Sequence, residues 1–136
     1  MKLRKGVIET LKTLKKQKIK TALVTDLTAH IQLKKMSKLK ITNYIDFLIT
    51  SEEAGGEKPN SKMFLLSLNK LNILPDEAIM VGDNLIADIE GANAVKIDSV
   101  AITNRNISTN KDDYKKPNFV IRPIPEVLNI LNELNK

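Results

Sequence analysis

The sequence predicts an α/β protein in which a parallel sheet carries helices on both faces. Short apolar runs that fit buried strands alternate along the chain with longer segments whose apolar residues recur at helical spacing. This alternation is typical of β-α-β units, which set strands side by side in parallel. The 136 residues contain no internal repeat or linker, and 42% of them are hydrophobic. We therefore expect a single domain over residues 1–136, with one hydrophobic core.

Three helices and two strands are predicted in the first half of the chain. Helical spacing is shared by three groups of apolar residues: Val7, Ile8, Leu11 and Leu14; Ile31, Leu33, Met36 and Leu39; Met63, Phe64, Leu68 and Leu71. We expect the second group to face inward and Pro59 to occupy the first turn of the third helix. The two apolar runs 19–24 and 47–50 are predicted to be strands, the first ending at Thr25.

The second half of the chain continues the alternation. Apolar runs at 78–81, 100–102 and 119–121 predict three further strands. A helix is expected over about 85–94, and a closing helix follows from the spacing of Val127, Leu128, Leu131 and Leu134. The polar stretch 104–118 between the last two strands is predicted to be an irregular loop.

Composition limits the classes of partner. The net charge is +6, but the lysines interleave with Leu and Ile at helical spacing, and aromatic residues make up only 4% of the chain. We therefore interpret the lysines as solvated helix faces and expect no nucleic-acid partner. No apolar run approaches the roughly 18 residues that span a bilayer, so no membrane partner is expected. The absence of cysteine agrees with a cytoplasmic location.

The stretch 81–88, Val-Gly-Asp-Asn-Leu-Ile-Ala-Asp, is the most informative in the chain. It follows a predicted strand, so Asp83 is expected at the carboxyl end of that strand, where open α/β sheets bind ligands. Asp88 lies one helical turn or so further and could return to the same pocket. Carboxylates suit a hard cation such as Mg²⁺. The alternative is that both aspartates only favour the start of a helix.

Thr25, Asp26 and Lys58 are the other candidate site residues. Thr25 ends a strand beside the next helix, where a hydroxyl and free backbone N–H groups can hold a phosphate oxygen. Alternatively, Asp26 or Thr28 merely caps that helix. Lys58 precedes a proline, which favours extended geometry and would aim the ammonium toward the rim of the sheet, although a surface lysine remains the alternative. His30, the sole histidine, is expected on the surface.

The order of these segments resembles the haloacid dehalogenase-like hydrolase superfamily, and the flanking residues resemble its phosphoglycolate-phosphatase-like branch. The resemblance runs from about Lys5 to Asn104. It rests on three segments in sequence: Thr25-Asp26-Leu27-Thr28; Thr50-Ser51-Glu52-Glu53-Ala54-Gly55 with Glu57-Lys58-Pro59; and Val81 to Asp88 followed by Ile89-Glu90-Gly91-Ala92. Each segment alone is weak evidence, but three in order on their expected elements are specific. The resemblance implies a Rossmann-like sheet.

The resemblance also implies a reaction and roles for the candidate residues. Most members of the superfamily are Mg²⁺-dependent phosphatases in which an aspartate attacks the phosphoryl group and forms an aspartyl-phosphate. By resemblance, Thr25 and Asp26 belong to the phosphate-binding segment, and Lys58 holds the nucleophile and the phosphoryl charge together. Asp83 would ligate Mg²⁺, with Asp88 supporting the metal site. The substrate of the intact protein would be a small phosphorylated metabolite.

One element of the family pattern is missing from these 136 residues. The first motif, Asp-x-Asp on an apolar strand, should precede Thr25, with a helical cap domain between them, yet residues 1–24 contain no aspartate. We therefore expect an incomplete core that lacks its central first strand and its cap. Such a core should bind Mg²⁺ weakly and be inactive alone, and it should expose apolar surface that a second copy or an upstream polypeptide completes. The alternatives are a non-catalytic module that binds anions or a partner, or one half of a split phosphatase.

Overall fold

A computed structural model of the chain describes residues 4–26 and 29–135. In these residues six α-helices and five strands mostly alternate, as expected for an α/β protein, except that α3 is followed by α4 and β4 by β5. In order they are α1 (Val7–Lys16), β1 (Ala22–Thr25), α2 (Ala29–Leu39), β2 (Phe47–Thr50), α3 (Ser51–Ala54), α4 (Ser61–Leu71), β3 (Ile79–Gly82), α5 (Gly91–Ala94), β4 (Asp98–Ile102), β5 (Phe119–Ile121) and α6 (Val127–Leu134). A π-helical segment, Leu85–Glu90, leads directly into α5. Residues 103–118 form the irregular loop that the sequence predicts.

The strands form two separate parallel sheets. Strands β1 and β2 pair with each other and make the first sheet, in which Thr25 lies beside Thr50. Strands β3, β4 and β5 pair in that order and make the second sheet. The predicted α/β class with parallel strands is therefore confirmed, and the sheet is divided between β1 and β3.

Two apolar clusters cover the two faces of the second sheet. On one face, Val100, Ile102 and Ile121 pack with Val127 and Ile130 of α6. On the other face, a second cluster joins the sheet to α4 and α5: Phe64, Leu68, Ala92 and Ile97. Helix α4 also contacts β1 and β2, so one helix supports both sheets.

The strands on either side of the division are only half-buried. Every residue of β1 and of β3 is of intermediate exposure, whereas four of the five residues of β4 are buried. Strands near the centre of a doubly covered parallel sheet are normally buried. The intermediate exposure of β1 and β3 therefore fits a sheet that lacks a strand between them.

Two local expectations need correction. Pro59 does not lie in the first turn of α4, because that helix begins at Ser61 and the side chain of Asn60 caps it by accepting the N–H of Lys62. The apolar face of α2 also does not point inward over its whole length. Met36 is buried, but Ile31 and Leu33 are 45% and 51% exposed, because α2 contacts the body of the protein mainly at β2 and at the turn Thr42–Tyr44.

Within residues 4–26 and 29–135, no helix combines the length and the apolar character needed to cross a membrane.

We predict that Gly91→Ala lowers the free energy of unfolding by about 1–3 kcal/mol. A Cβ at Gly91 would lie 2.5 Å from Cε2 of Phe64, a buried ring that cannot move freely. Urea denaturation measures the change. Gly56→Ala is the matched control, because its Cβ would meet only the side chains of Asn60 and Lys62, at 3.2 Å or more. Equal losses in the two variants would contradict the close contact at Gly91.

Candidate functional site

A cleft of about 320 Å³ opens between the two sheets at the carboxyl ends of β1 and β3. We call it the inter-sheet cleft. Its walls combine apolar and charged side chains: Arg4, Val24, Lys58, Met80, Val81, Gly82, Asp83, Asp88, Ile102 and Ile124. Three residues that the sequence singles out, Lys58, Asp83 and Asp88, therefore meet in one place, although they lie on different segments of the chain.

A buried ion pair connects the two sides of the inter-sheet cleft. Nζ of Lys58 lies 2.5 Å from Oδ1 of Asp88, and the two side chains are only 12% and 7% exposed. The same Nζ donates to the backbone carbonyl of Val24 in β1 at 3.3 Å. Lys58 is therefore not a surface lysine, and its ammonium joins β1 of the first sheet to the segment that follows β3 of the second.

Asp26 holds the backbone of Lys58, whereas Asp88 and Val24 hold its side chain. Oδ1 of Asp26 accepts the backbone N–H of Lys58 at 3.0 Å, and the carbonyl of Asp26 accepts the hydroxyl of Ser51 at 3.1 Å. Asp26 itself is exposed. Its carboxylate orients the loop that carries Lys58, so it acts on the cleft through Lys58.

The turn after β3 aims Asp88 back into the cleft. The side-chain oxygen of Asn84 accepts the N–H groups of Ile86 and Ala87, which starts the helical segment at Leu85. In return, the backbone N–H of Asn84 donates to Oδ2 of Asp88 at 3.2 Å. Gly82 leaves room for this carboxylate, because a Cβ at that position would overlap it. The local sequence thus explains why Asp88 returns to the strand end.

Asp83 is the exposed carboxylate of the site. Its side chain is 68% exposed, and its Oδ2 lies 3.4 Å from Nη2 of Arg4, whose side chain is 51% exposed. The two aspartates therefore differ in environment, since Asp88 is buried and hydrogen-bonded while Asp83 faces solvent.

Thr25 lies at the carboxyl end of β1, next to Val24, but it does not line the inter-sheet cleft in this structure. It is of intermediate exposure. Thr28 and the side chain of His30 lie outside the described residues, so the capping role considered for Thr28 and the surface position expected for His30 stay predictions.

The carboxylates fit part of a magnesium site. Mg²⁺ is usually held by one or two carboxylates together with waters and substrate oxygens. The carboxylate of Asp83 is exposed and could bind Mg²⁺, although the guanidinium of Arg4 already lies beside it. Both oxygens of Asp88 are engaged, by Lys58 and by the N–H of Asn84. Within residues 4–26 and 29–135, no group of three or more His, Cys, Asp or Glu side chains could enclose a metal ion.

Arg4 is the residue of the cleft that sequence reasoning missed. It lies between Lys2 and Lys5, among the basic residues for which the sequence predicts only solvated helix faces. No local pattern distinguishes Arg4 from its neighbours, because its position depends on how the chain before α1 packs. Gly6, with a φ of 84°, is the N-cap of α1 and lies close to Pro125, and Arg4 before it lines the cleft beside β3 of the second sheet.

Comparison with known proteins identifies a matching family and several similar phosphatases. The family model described as "Haloacid dehalogenase-like hydrolase" matches residues 1–102. The chain is 51% identical over 92 residues to a ribulose-1,5-bisphosphate 5-phosphatase of Halopiger xanaduensis, covering 68% of this chain and 38% of that protein. It is 37% identical over 134 residues to a glyceraldehyde 3-phosphate phosphatase of Methanopyrus kandleri, covering 96% of this chain and 57% of that one.

The fold is also similar to solved structures. A phosphatase from Thermococcus onnurineus superposes with a TM-score of 0.84 at 30% identity, covering 95% of this chain and 58% of that chain. The chain thus spans little more than half the length of the relatives that it matches over most of its own length.

We predict that Asp88→Asn lowers the free energy of unfolding by about 3 kcal/mol, because it leaves the ammonium of Lys58 buried without a counter-charge. Asp83→Asn, the same chemical change in an exposed pair, should cost less than about 1 kcal/mol. Adding Lys58→Met to Asp88→Asn should recover part of the loss, since the unpaired charge is removed. Thermal or urea unfolding measures all three, and an equal effect of the two aspartate variants would refute this account.

Proposed function

Because the chain belongs to the haloacid dehalogenase-like hydrolase family, we propose that it forms the carboxyl-terminal core portion of a Mg²⁺-dependent phosphatase. The intact enzyme would hydrolyse a small phosphate monoester, the class of reaction for which its relatives are named. The observation that carries this proposal is the meeting of Lys58, Asp83 and Asp88 in one cleft at the carboxyl ends of parallel strands.

The charges of the inter-sheet cleft suit phosphoryl transfer. Two cationic side chains, Arg4 and Lys58, face two carboxylates, Asp83 and Asp88. Phosphoryl transfer depends mainly on positioning and on neutralising the charge of the phosphoryl oxygens. In this proposal the ammonium of Lys58, held by Asp88 and by the carbonyl of Val24, is directed at the nucleophile and the phosphoryl group.

The remaining residues have supporting roles in the proposal. The hydroxyl of Thr25 binds a non-bridging phosphate oxygen, and Asp26 belongs to the same phosphate-binding segment while its carboxylate orients the backbone of Lys58. Asp83 holds Mg²⁺ directly, and Asp88 supports it by fixing Lys58 and the turn at Asn84. When bound, Mg²⁺ neutralises the charge that develops on the transferred phosphoryl group.

The nucleophile is the part of the site that the described residues do not contain. Apart from Asp83 and Asp88, no carboxylate of the described residues lines the inter-sheet cleft. We propose that an aspartate from additional polypeptide attacks phosphorus, forming the aspartyl–phosphorus bond as the bond to the leaving alkoxide breaks. A second carboxyl group protonates that alkoxide. Water then attacks the phosphorus of the aspartyl-phosphate and gives a proton to the second carboxylate, while the aspartyl–phosphorus bond breaks and releases phosphate and the free aspartate.

The division of the sheet supports a position for this proposed polypeptide between β1 and β3. Strands β1 and β3 belong to different sheets, are both half-exposed, and run toward the same cleft. One apolar strand between them, ending at the cleft, would complete the sheet and deliver its carboxylates beside Lys58. An upstream polypeptide or a second copy of the chain could supply it. The cytoplasmic location stays a prediction from the sequence.

We predict that the chain alone does not hydrolyse p-nitrophenyl phosphate in the presence of Mg²⁺, because the two carboxylates that line the cleft in the described residues, Asp83 and Asp88, have supporting roles in the proposal and neither is its nucleophile. Fusing it to the part of the Methanopyrus phosphatase that it does not match should produce turnover. Release of p-nitrophenolate is followed by absorbance. Turnover of the fusion should fall at least about 100-fold with Lys58→Ala or Asp83→Asn.

The controls separate the alternatives. Lys62→Ala removes a neighbouring exposed lysine that does not line the cleft, and it should leave the turnover of the fusion unchanged. A folded but inactive fusion would favour the non-catalytic binding module. Turnover by the chain alone that disappears in Asp83→Asn would contradict the proposed absence of a nucleophile.

A further inference from the structure

We propose that Arg4 is an internal counter-ion of Asp83 and competes with a divalent metal ion for its carboxylate. Metal binding would thereby release the guanidinium of Arg4 to an anion in the same cleft. The inference rests on the metal role given to Asp83 above, and it adds a residue and an order of binding to that role.

The geometry shows that Arg4 already occupies a cation position. Nη2 of Arg4 lies 3.4 Å from Oδ2 of Asp83, and the pair is formed across 79 residues of sequence. Both residues line the inter-sheet cleft together with Lys58. The guanidinium therefore stands beside the carboxylate that a metal ion would use.

Asp88 is less available to a metal ion than Asp83, because both of its carboxylate oxygens already have partners. Oδ1 of Asp88 is paired with Nζ of Lys58 at 2.5 Å, and Oδ2 accepts the N–H of Asn84 at 3.2 Å. The pair is buried, so breaking it exposes a lone charge to a poorly solvated site. An incoming cation meets less resistance at Asp83, whose bond to Arg4 is long and exposed to water.

Arg4 and a divalent ion cannot share Asp83 without repulsion. Like charges about 4 Å apart repel noticeably even in water, and the repulsion doubles when one of them is divalent. Release of Arg4 relieves this repulsion. An exposed ion pair of this kind weakens metal binding by a few-fold, at most about five-fold.

The released guanidinium remains at the cleft. A guanidinium binds phosphate oxygens through two parallel N–H bonds, which an ammonium cannot do. Before metal binding, Arg4 and Lys58 are both neutralised by carboxylates. Afterwards Arg4 has no carboxylate partner at this position and can bind a phosphate group, so metal and phosphate should each increase the affinity for the other.

Calorimetric titration of the whole chain with Mn²⁺ at low salt tests the competition. We expect Arg4→Gln to bind Mn²⁺ two- to five-fold more tightly than the unmodified chain. Lys5→Gln is the matched control, because it removes the same charge from an adjacent exposed residue that does not line the cleft. It should change the affinity less than Arg4→Gln does. Asp83→Asn should abolish the Mn²⁺ binding that Arg4→Gln strengthens.

A second measurement follows Arg4 directly. The Nε–Hε resonance of Arg4, assigned by its loss in Arg4→Gln, should shift as Mg²⁺ saturates the chain. In Asp83→Asn the resonance should start at its released position and stay there when Mg²⁺ is added. In the unmodified chain, inorganic phosphate should shift the Arg4 resonance further when Mg²⁺ is present and should leave it in place when Mg²⁺ is absent.

The outcomes distinguish this inference from the proposed function. If Mn²⁺ binds through Asp83 but Arg4→Gln and Lys5→Gln have the same affinity, or if the Arg4 resonance ignores Mg²⁺, the competition is refuted and the metal role of Asp83 stands. If neither the unmodified chain nor Arg4→Gln binds Mn²⁺ through Asp83, the metal role and this inference both fail.

Discussion

The buried pair between Lys58 and Asp88 is the interaction on which the rest of the site depends. The ammonium binds the carboxylate at 2.5 Å and the carbonyl of Val24 at 3.3 Å, so it connects two sheets that share no strand pairing. The backbone N–H of Lys58 donates to the carboxylate of Asp26, and the backbone N–H of Asn84 donates to the carboxylate of Asp88. Because a buried charge is costly without its counter-charge, these contacts fix one arrangement of the cleft.

The division of the sheet accounts for both the opening of the cleft and the chemistry that we propose for it. Strands β1 and β3 are half-exposed where the centre of a parallel sheet is normally buried. The inter-sheet cleft between them is lined by both apolar and charged side chains. A single apolar strand with a terminal carboxylate has the chemistry to fill it. The proposed catalytic role of the chain and the proposed insertion of a further strand therefore both rest on the division between the two sheets.

Much of the fold could be predicted because it depends on local patterns. The strand 47–50 agrees with the structure at both ends, and the loop after β4 was expected from its polar composition. The errors occurred where tertiary packing outweighed a local preference. Pro59 suits a first helical turn, yet Asn60 caps α4 and starts it at Ser61. Ile31 and Leu33 have helical spacing, but they stay about half-exposed because α2 contacts the described residues mainly at β2 and at the turn Thr42–Tyr44.

The sequence by itself determined the class of fold, the family resemblance, and the choice of Lys58, Asp83 and Asp88 as site residues. Those features depend on periodicity and on short motifs, and both can be recognised from residues that are close in sequence. Only the tertiary structure decided that Asp88 is buried against Lys58, that Asp83 remains exposed, and that Arg4 pairs with it. These three facts depend on contacts between residues 30 and 79 positions apart, which no local pattern encodes. Burial and pairing, rather than residue type, separate the roles of two otherwise identical aspartates.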